Sequence, residues 1–228
     1  MLRITSAKVT APTGSAGWVQ VNEFFGNGTE GSEEKGRLYA LVAAKNGREG
    51  VDAMTFERKI LGAIREEYYS SQEKPFDALK SATQIIANEF DQPGEELEIA
   101  CIVYAGDFVY TSAYGGSRVL IGREGSLASI LESGGEVITA SGSPKEKDIV
   151  VAGSKTFFEK MSLTQLSESL KDTSPESAVE KITAYIYSGA GVETAGAVIL
   201  RFEEGEQKVE VLDSPPKPVN AVNPTLPQ

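Results

Sequence analysis

The chain contains 228 residues, of which 40% are hydrophobic, so it is long enough to bury one large core. Its formal net charge of −11 argues against a nucleic-acid partner, because binding to a phosphate backbone requires a basic surface. The absence of histidine excludes the commonest general base near neutral pH and every Ser-His or Cys-His nucleophile pair.

Two further features bear on location. No stretch approaches about 20 consecutive apolar residues, so the sequence predicts no membrane span. The single cysteine, Cys101, lies in the middle of a predicted strand, where a thiol usually acts as a small buried hydrophobe. No disulfide framework is possible with one cysteine, and we expect a reducing compartment, the cytoplasm.

The N-terminal part of the sequence predicts strands over residues 2–9, 18–25 and 38–44. The third is a nearly continuous apolar run, which is typical of a strand covered on both faces. Between the second and third strands, residues 26–36 are polar, acidic and rich in glycine, so they predict a surface loop.

Two amphipathic helices are predicted next. Apolar residues recur every three or four positions over residues 56–68 and again over residues 76–90, which gives each segment one apolar stripe. Pro75 suits the first turn of the second helix. Each stripe needs a sheet to cover, so we expect both helices to pack on strands.

Residues 97–123 alternate apolar and polar side chains over three segments, which predicts strands with one buried face. Gly106-Asp107 and Gly115-Gly116 separate the segments at hairpin spacing. The sequence therefore predicts an antiparallel meander of three strands in one sheet.

The C-terminal part predicts short strands at residues 136–140 and 148–152 and a helix at 163–170. A further helix begins at Ser174-Pro175-Glu176, where serine caps, proline takes the first helical position and glutamate meets the helix dipole. Residues 195–202 and 208–212 are predicted to form a final hairpin.

The predicted organisation is one folded domain over residues 1–213 and a proline-rich tail over residues 214–228. The tail, SPPKPVNAVNPTLPQ, has little to bury and predicts an extended segment, either a disordered end or a linker to a further domain or membrane anchor. The order of strands and helices predicts an α+β fold in which helices lie outside antiparallel sheets.

Five short segments occur in an order and spacing that resemble one protein family. They are Val21-Asn22-Glu23-Phe24-Phe25, the stretch LVAAKNGREG at residues 41–50, Gly115-Gly116-Ser117-Arg118, Ser154-Lys155-Thr156 after a short strand, and Glu193-Thr194 before the last long strand. Together they resemble the metal-dependent serine/threonine protein phosphatases of type 2C. The resemblance covers about residues 18–202 and implies a four-layer α-β-β-α sandwich, with two antiparallel sheets flanked by helix pairs.

The same resemblance implies that the metal site is degenerate. In the family, aspartates at these segments hold two divalent cations that activate a water molecule. The positions that correspond to ligands are occupied here by Phe24, Ala44, Gly116, Lys155 and, in a looser match, Glu193. Mg²⁺ and Mn²⁺ require anionic oxygen ligands, so the expected cofactor is none and the expected function is that of a non-catalytic pseudophosphatase, which binds a protein or a phosphorylated ligand.

Three alternatives remain open from the sequence. An active metal-dependent phosphatase would need Mg²⁺ or Mn²⁺ held by displaced ligands, for which the candidates are Glu23, Asp107, Asp148 and Glu193. An anion site for a phosphopeptide would use Lys45, Arg48 and Lys155. In the third alternative, the Lys155 ammonium occupies the vacant metal site and neutralises a carboxylate such as Glu23 or Glu193 in place of the ion. Binding of a nucleotide has little support, because the glycine-rich stretch 188–196 lacks the Gly-Lys-Ser/Thr of a P-loop. This stretch predicts an ordinary loop before a strand.

Overall fold

The computed structural model describes residues 2–14, 16–26, 34–45, 53–91, 96–171, 174–189 and 191–205. Its strands are β1 (Leu2–Thr10), β2 (Gly17–Phe25), β3 (Arg37–Lys45), β4 (Glu96–Ala105), β5 (Phe108–Tyr114), β6 (Arg118–Arg123), β7 (Ser126–Glu132), β8 (Ile138–Gly142), β9 (Ile149–Gly153) and β10 (Gly196–Glu204). Its helices are α1 (Ala53–Ser70), α2 (Pro75–Phe90), α3 (Lys155–Lys160), α4 (Leu163–Leu170) and α5 (Pro175–Tyr187).

The strands form two five-stranded antiparallel sheets that pack face to face. The first sheet has the order β1-β10-β9-β6-β7, and the second has the order β2-β3-β4-β5-β8. Helices α1 and α2 share an apolar cluster with the outer face of the second sheet. The apolar residues of α4 and α5 join the core that includes the first sheet and the space between the sheets. The predicted α+β sandwich with four layers is confirmed.

Strand β3 is covered by protein on both of its faces. Residues 38–44 form seven consecutive buried positions, as predicted for a strand covered on both faces. Tyr39, Leu41 and Ala43 belong to the core between the sheets, whereas Leu38 and Val42 pack with the helix layer of α1 and α2. Strand periodicity therefore divides one apolar run between two separate cores.

The helix boundaries follow the capping residues that the sequence predicts. Pro75 stands at the start of α2, and Ser174 caps α5 by accepting a hydrogen bond from the Ser177 backbone N–H at 3.3 Å. The short helix α3 was not predicted, because six residues are too few to show a helical stripe. Ser154 caps it and accepts from the Phe157 backbone N–H at 3.2 Å.

The prediction of a three-stranded meander over residues 97–123 is wrong. Strands β4 and β5 pair with each other, but β6 pairs with β7 and β9 in the opposite sheet. Gly115 and Gly116 have φ of 73° and 99°, and this turn carries the chain across the sandwich. An alternating pattern shows which face of a strand is buried but not which sheet the strand joins.

Other differences from the predicted elements are smaller. Strand β7 was not predicted, because it lies at the edge of its sheet and most of its side chains are exposed. Strand β8 occupies residues 138–142, slightly after the predicted position. Strand β10 is paired with β1 on one side and with β9 on the other. Residues 197–201 therefore cannot also pair with residues 208–212 in the predicted hairpin.

Some predictions lie outside the described residues, namely the second hairpin strand at 208–212 and the proline-rich tail at 214–228. Within the described part of the chain, no helix combines the length and the apolar character needed to cross a membrane. Cys101 is fully buried, and burial raises the pKa of its thiol to about 12, as expected for a structural rather than a reactive cysteine.

Two glycine substitutions test the importance of the turn after β5. In Gly115→Ala, the new Cβ would overlap the backbone oxygen of Leu97 at a position with φ of 73°. We expect the free energy of unfolding in urea to fall by about 2 kcal/mol or more. Gly62 lies inside α1 with nothing within 4 Å of a new Cβ, so Gly62→Ala should raise it by about 0.5–1 kcal/mol. Equal effects of the two changes would contradict this account.

Candidate functional site

Four of the five predicted site positions meet at one end of the sandwich. An added Cβ on Gly116 would lie 3.3 Å from Cδ of Lys155, so the β5–β6 turn contacts the start of α3. An added Cβ on Gly17 would lie 2.7 Å from the backbone oxygen of Ala44 and 2.5 Å from Cγ2 of Thr194. The start of β2, the end of β3 and the segment before β10 are therefore in close contact.

The same end contains Glu193, the fourth of these positions. An added Cβ on Gly14 would lie 2.6 Å from Cγ of Glu193. The neighbouring residue Thr194 shares a hydrogen bond of 2.7 Å with Thr156 in α3, and both hydroxyls are buried. The segment before β10 therefore contacts the residues that precede β2 and is hydrogen-bonded to the first turn of α3.

The fifth predicted position, Phe24, does not join this group. Phe24 pairs with Leu38, whereas Ala44 pairs with Trp18 at the other end of the same two strands. Six residue pairs separate the two positions, which corresponds to about 20 Å along a strand. Phe24 packs instead against the helix-layer core. The side chain of its neighbour Glu23 lies 3.8 Å from the Arg37 guanidinium, also away from the site.

The most buried charged group at the site is Glu98, which the sequence interpretation missed. Its carboxylate accepts a hydrogen bond of 2.6 Å from the backbone N–H of Lys155, and the residue is only 3% exposed. Burial raises the pKa of Glu98 to about 7, although the hydrogen bond and the charges of Lys45 and Lys155 act in the opposite direction. The sequence did contain an indication that Glu98 is buried. Glu98 lies on the same face of β4 as Ala100 and Ile102, which belong to the core between the sheets.

The remaining charges near the site are arranged mainly in pairs. Lys45 donates to Glu96 at 2.5 Å, and this contact raises the pKa of Lys45 and lowers that of Glu96. Arg118 contacts Glu132 at 2.8 Å. The charge of Lys155 helps to hold down the pKa values of Glu96 and Glu98, so its carboxylate neighbours differ from the predicted Glu23.

These contacts limit the predicted anion site. Lys45 already has a carboxylate partner, Lys155 is exposed, and Arg48 lies outside the described residues. A cleft of about 450 Å³ opens beside Gly116 and Lys155. It is lined by positive and negative side chains together, including Asp91, Glu96, Arg118, Glu132 and Lys155. The Tyr114 hydroxyl donates to Asp91 on its rim.

The residues at this end do not fit a centre of two divalent cations. Ala44 and Gly116 provide no side-chain oxygen, and Lys155 provides an ammonium group. One oxygen of Glu98 is already used by the Lys155 N–H. Within the described ranges, no group of three or more His, Cys, Asp or Glu side chains is arranged to hold a metal ion.

The displaced ligand set considered from the sequence is dispersed. Asp148 precedes β9 and pairs with Arg123 at 2.5 Å, whereas Lys155 follows the other end of that strand. Asp107 lies in the β4–β5 turn, and Glu23 contacts Arg37. Of the four candidates, only Glu193 lies at the site.

Comparison with solved structures identifies the architecture. The chain superposes on the catalytic domain of the serine/threonine protein phosphatase PstP, determined with two manganese ions, with a TM-score of 0.66 and 14% identity. The chain has the type 2C phosphatase fold. This match covers 90% of the chain and 100% of PstP. The predicted resemblance is therefore confirmed at the level of the fold.

Two further structures show the same relationship. The Mycobacterium tuberculosis phosphatase PstP/Ppp gives a TM-score of 0.65 at 14% identity, with 90% of this chain and 100% of that chain covered. PppA, a regulatory component of the type VI secretion system in Pseudomonas aeruginosa, gives a TM-score of 0.62 at 14% identity. This match covers 87% of this chain and 97% of PppA. No protein-family model matches the sequence, and no curated protein matches it. At this identity, the likeness establishes the type 2C phosphatase fold and not an activity.

The buried carboxylate of Glu98 predicts a pH-dependent stability. Its pKa in the folded protein, about 7, exceeds the ordinary value of 4.5, so the native state holds this proton more tightly than the unfolded state does. The contribution of Glu98 to the free energy of unfolding therefore falls as the pH rises from about 4.5 to about 7. Glu98→Gln keeps an oxygen for the Lys155 N–H, and it should be more stable than wild type at pH 8 by up to about 3 kcal/mol.

Urea denaturation at pH 5 and pH 8 checks this expectation. The stability difference between Glu98→Gln and wild type should be large at pH 8 and small at pH 5. Glu66→Gln is the control, because Glu66 is an exposed carboxylate on α1. A difference for Glu98→Gln that is the same at both pH values would contradict the assignment of a buried, proton-binding carboxylate.

Proposed function

We propose that this chain is a non-catalytic domain with the type 2C phosphatase fold, a pseudophosphatase that acts by binding a partner. The observation that carries the proposal is the contact between Gly116 and Lys155 beside Ala44. Four positions that correspond to metal ligands lie at one end of the sandwich. Three of them, Ala44, Gly116 and Lys155, have no oxygen in their side chains, and only Glu193 has a carboxylate. A lysine beside the cleft also opposes the approach of a divalent cation.

The hydrogen bonding of the site supports the same proposal. The nearest buried carboxylate, Glu98, accepts from the backbone of Lys155 and so helps to fix the start of α3. Thr156 and Thr194 bond to each other, and Lys45 bonds to Glu96. The polar groups that surround the site satisfy one another, as expected where they stabilise a fold rather than hold an ion.

A protein partner is favoured over a phosphorylated ligand. Of the two cations that line the cleft, Arg118 is paired with Glu132, and Lys155 lies beside Glu96 and Glu98, so neighbouring carboxylates offset the positive charge that a phosphate group would meet. PppA, which shares the fold, is described as a regulatory component of a secretion system. We propose that this chain likewise acts in a regulatory or signalling role. The buried, unreactive Cys101 suits the reducing environment of the cytoplasm, which is the compartment we propose.

The second candidate function is an active phosphatase dependent on Mg²⁺ or Mn²⁺. The observation in its favour is that PstP, with the same fold, was determined with two manganese ions. Against it stand the dispersed positions of Asp107, Asp148 and Glu23 relative to Lys155.

Calorimetry and an activity assay distinguish the two functions. Titration of the full chain with Mn²⁺ should give no saturable heat, and the chain should not hydrolyse p-nitrophenyl phosphate or a phosphoserine peptide with added Mn²⁺ or Mg²⁺. Metal-dependent turnover that is lost in Glu98→Gln but kept in Glu66→Gln would overturn the non-catalytic assignment, because a contaminating phosphatase would be unaffected by either change.

A further inference from the structure

A second cleft lies between the two sheets, away from the candidate site. It has a volume of about 360 Å³ and opens where the edge strands β7 and β8 approach each other. Its walls are mainly apolar and come from both sheets, with contributions from Val109, Ile121, Ile130, Ala140 and Val150. It shares no lining residue with the cleft beside Lys155. The volume and the apolar lining are those of a small-molecule pocket, for which about 300–1,000 Å³ is typical.

One charged side chain, Arg123, lines this cleft. Its Nε donates to both carboxylate oxygens of Asp148, at 3.0 and 3.2 Å, and its Nη2 donates to Asp148 at 2.5 Å and to the Ser143 carbonyl at 3.4 Å. The Asp148 side chain is only 2% exposed, so the guanidinium is held by a buried carboxylate. Among the described residues, Nη1 of Arg123 makes no hydrogen bond.

The wall of the cleft between β8 and β9 is fixed by hydrogen bonds in the free protein. Asp148 accepts from the Lys145 backbone N–H at 2.7 Å through its side chain, and its own N–H donates to the Lys145 carbonyl at 3.1 Å. The Lys147 N–H donates to the Phe202 carbonyl at 2.7 Å, and the Phe202 N–H donates to the Asp148 carbonyl at 3.0 Å. A cleft that is already formed binds a ligand without the entropy cost of ordering its walls.

We propose that this cleft binds a small amphipathic carboxylic acid, such as a medium-chain fatty acid. The alkyl body would lie between the sheets against Val109, Ile121 and Val150, where its transfer from water is favourable. The carboxylate would accept hydrogen bonds from Nη1 of Arg123, whose planar donor group suits carboxylate geometry. Because Asp148 and the guanidinium neutralise each other, the ligand's carboxylate would be held by the hydrogen bonds from Nη1 and not by an unpaired positive charge. This proposal is independent of the proposed function.

Calorimetry of the full chain with decanoate, kept below its critical micelle concentration, tests the proposal. We expect saturable binding and a concentration-dependent rise in Tm. Gly142 lines the cleft, and nothing lies within 4 Å of a Cβ added to it, so Gly142→Leu should fill the cleft without strain. This variant should bind decanoate at least about tenfold more weakly than wild type.

A matched variant controls for the added hydrophobic side chain. Gly62 in α1 is also a glycine with open space around a new Cβ, and it is remote from the cleft, so Gly62→Leu should bind decanoate as wild type does. Urea unfolding of both variants shows that each is folded before the titration.

Three results with decanoate and its cationic analogue would overturn the proposal, and a fourth result comes from a peptide. They are an absence of decanoate binding to wild type, equal affinity of Gly142→Leu and wild type, and equal affinity of wild type for decanoate and decyltrimethylammonium. The last would show that Arg123 does not recognise the headgroup. Binding of a peptide with a free C-terminal carboxylate, without binding of decanoate, would also overturn it and would indicate a protein ligand.

Discussion

The burial of β3 on both faces is the constraint on which the structure depends. A strand with seven consecutive buried residues cannot lie at a surface, so one face needs a second sheet and the other needs a layer of helices. Tyr39 and Leu41 meet the first sheet, whereas Leu38 and Val42 meet α1 and α2. Because β3 lies between the first sheet and the helix layer, the residue at its end, Ala44, comes close to the start of β2 and the segment before β10.

The candidate site follows from this placement. Ala44 ends the buried run, and the start of β2, the β5–β6 turn and the start of α3 converge on the same end of the molecule. A site at this point is formed by backbone that the fold holds rigidly, whatever side chains it carries. Here Ala44 and Gly116 are small, Lys155 is cationic, and the nearest buried carboxylate, Glu98, accepts a hydrogen bond from the backbone of Lys155. The fold by itself therefore does not determine the chemistry at this end of the molecule.

The second cleft arises from the other end of the same architecture. Strands β7 and β8 are edge strands of the two sheets, and they approach each other beside the cleft. Between them the apolar inner faces remain accessible, and the buried pair of Arg123 and Asp148 keeps the adjoining wall in place. The Asp148 carboxylate is buried and the Arg123 side chain is 37% exposed, so the ion pair holds the guanidinium at the boundary between the protein and the solvent.

Local patterns in the sequence were sufficient for most elements and for the layer order. The apolar run at residues 38–44, the stripes of α1 and α2 and the caps at Pro75 and Ser174 each depend on neighbours within a few residues. The site positions Ala44, Gly116 and Lys155 came from the resemblance to type 2C phosphatases and not from a local pattern, and Glu98 was missed. The edge strand β7 escaped prediction because an exposed strand has no apolar face to show its period.

The sequence alone was thus enough to predict most of the buried residues and most of the helices and strands, and it shows that Ala44, Gly116 and Lys155 lack the side-chain oxygens that a metal requires. Only the tertiary structure decided that β6 crosses to the opposite sheet, that Phe24 lies about 20 Å from Ala44, and that Glu98 meets the Lys155 backbone. The physical reason is that strand pairing and register join residues distant in the chain. An alternating apolar pattern is the same for every partner that buries the same face.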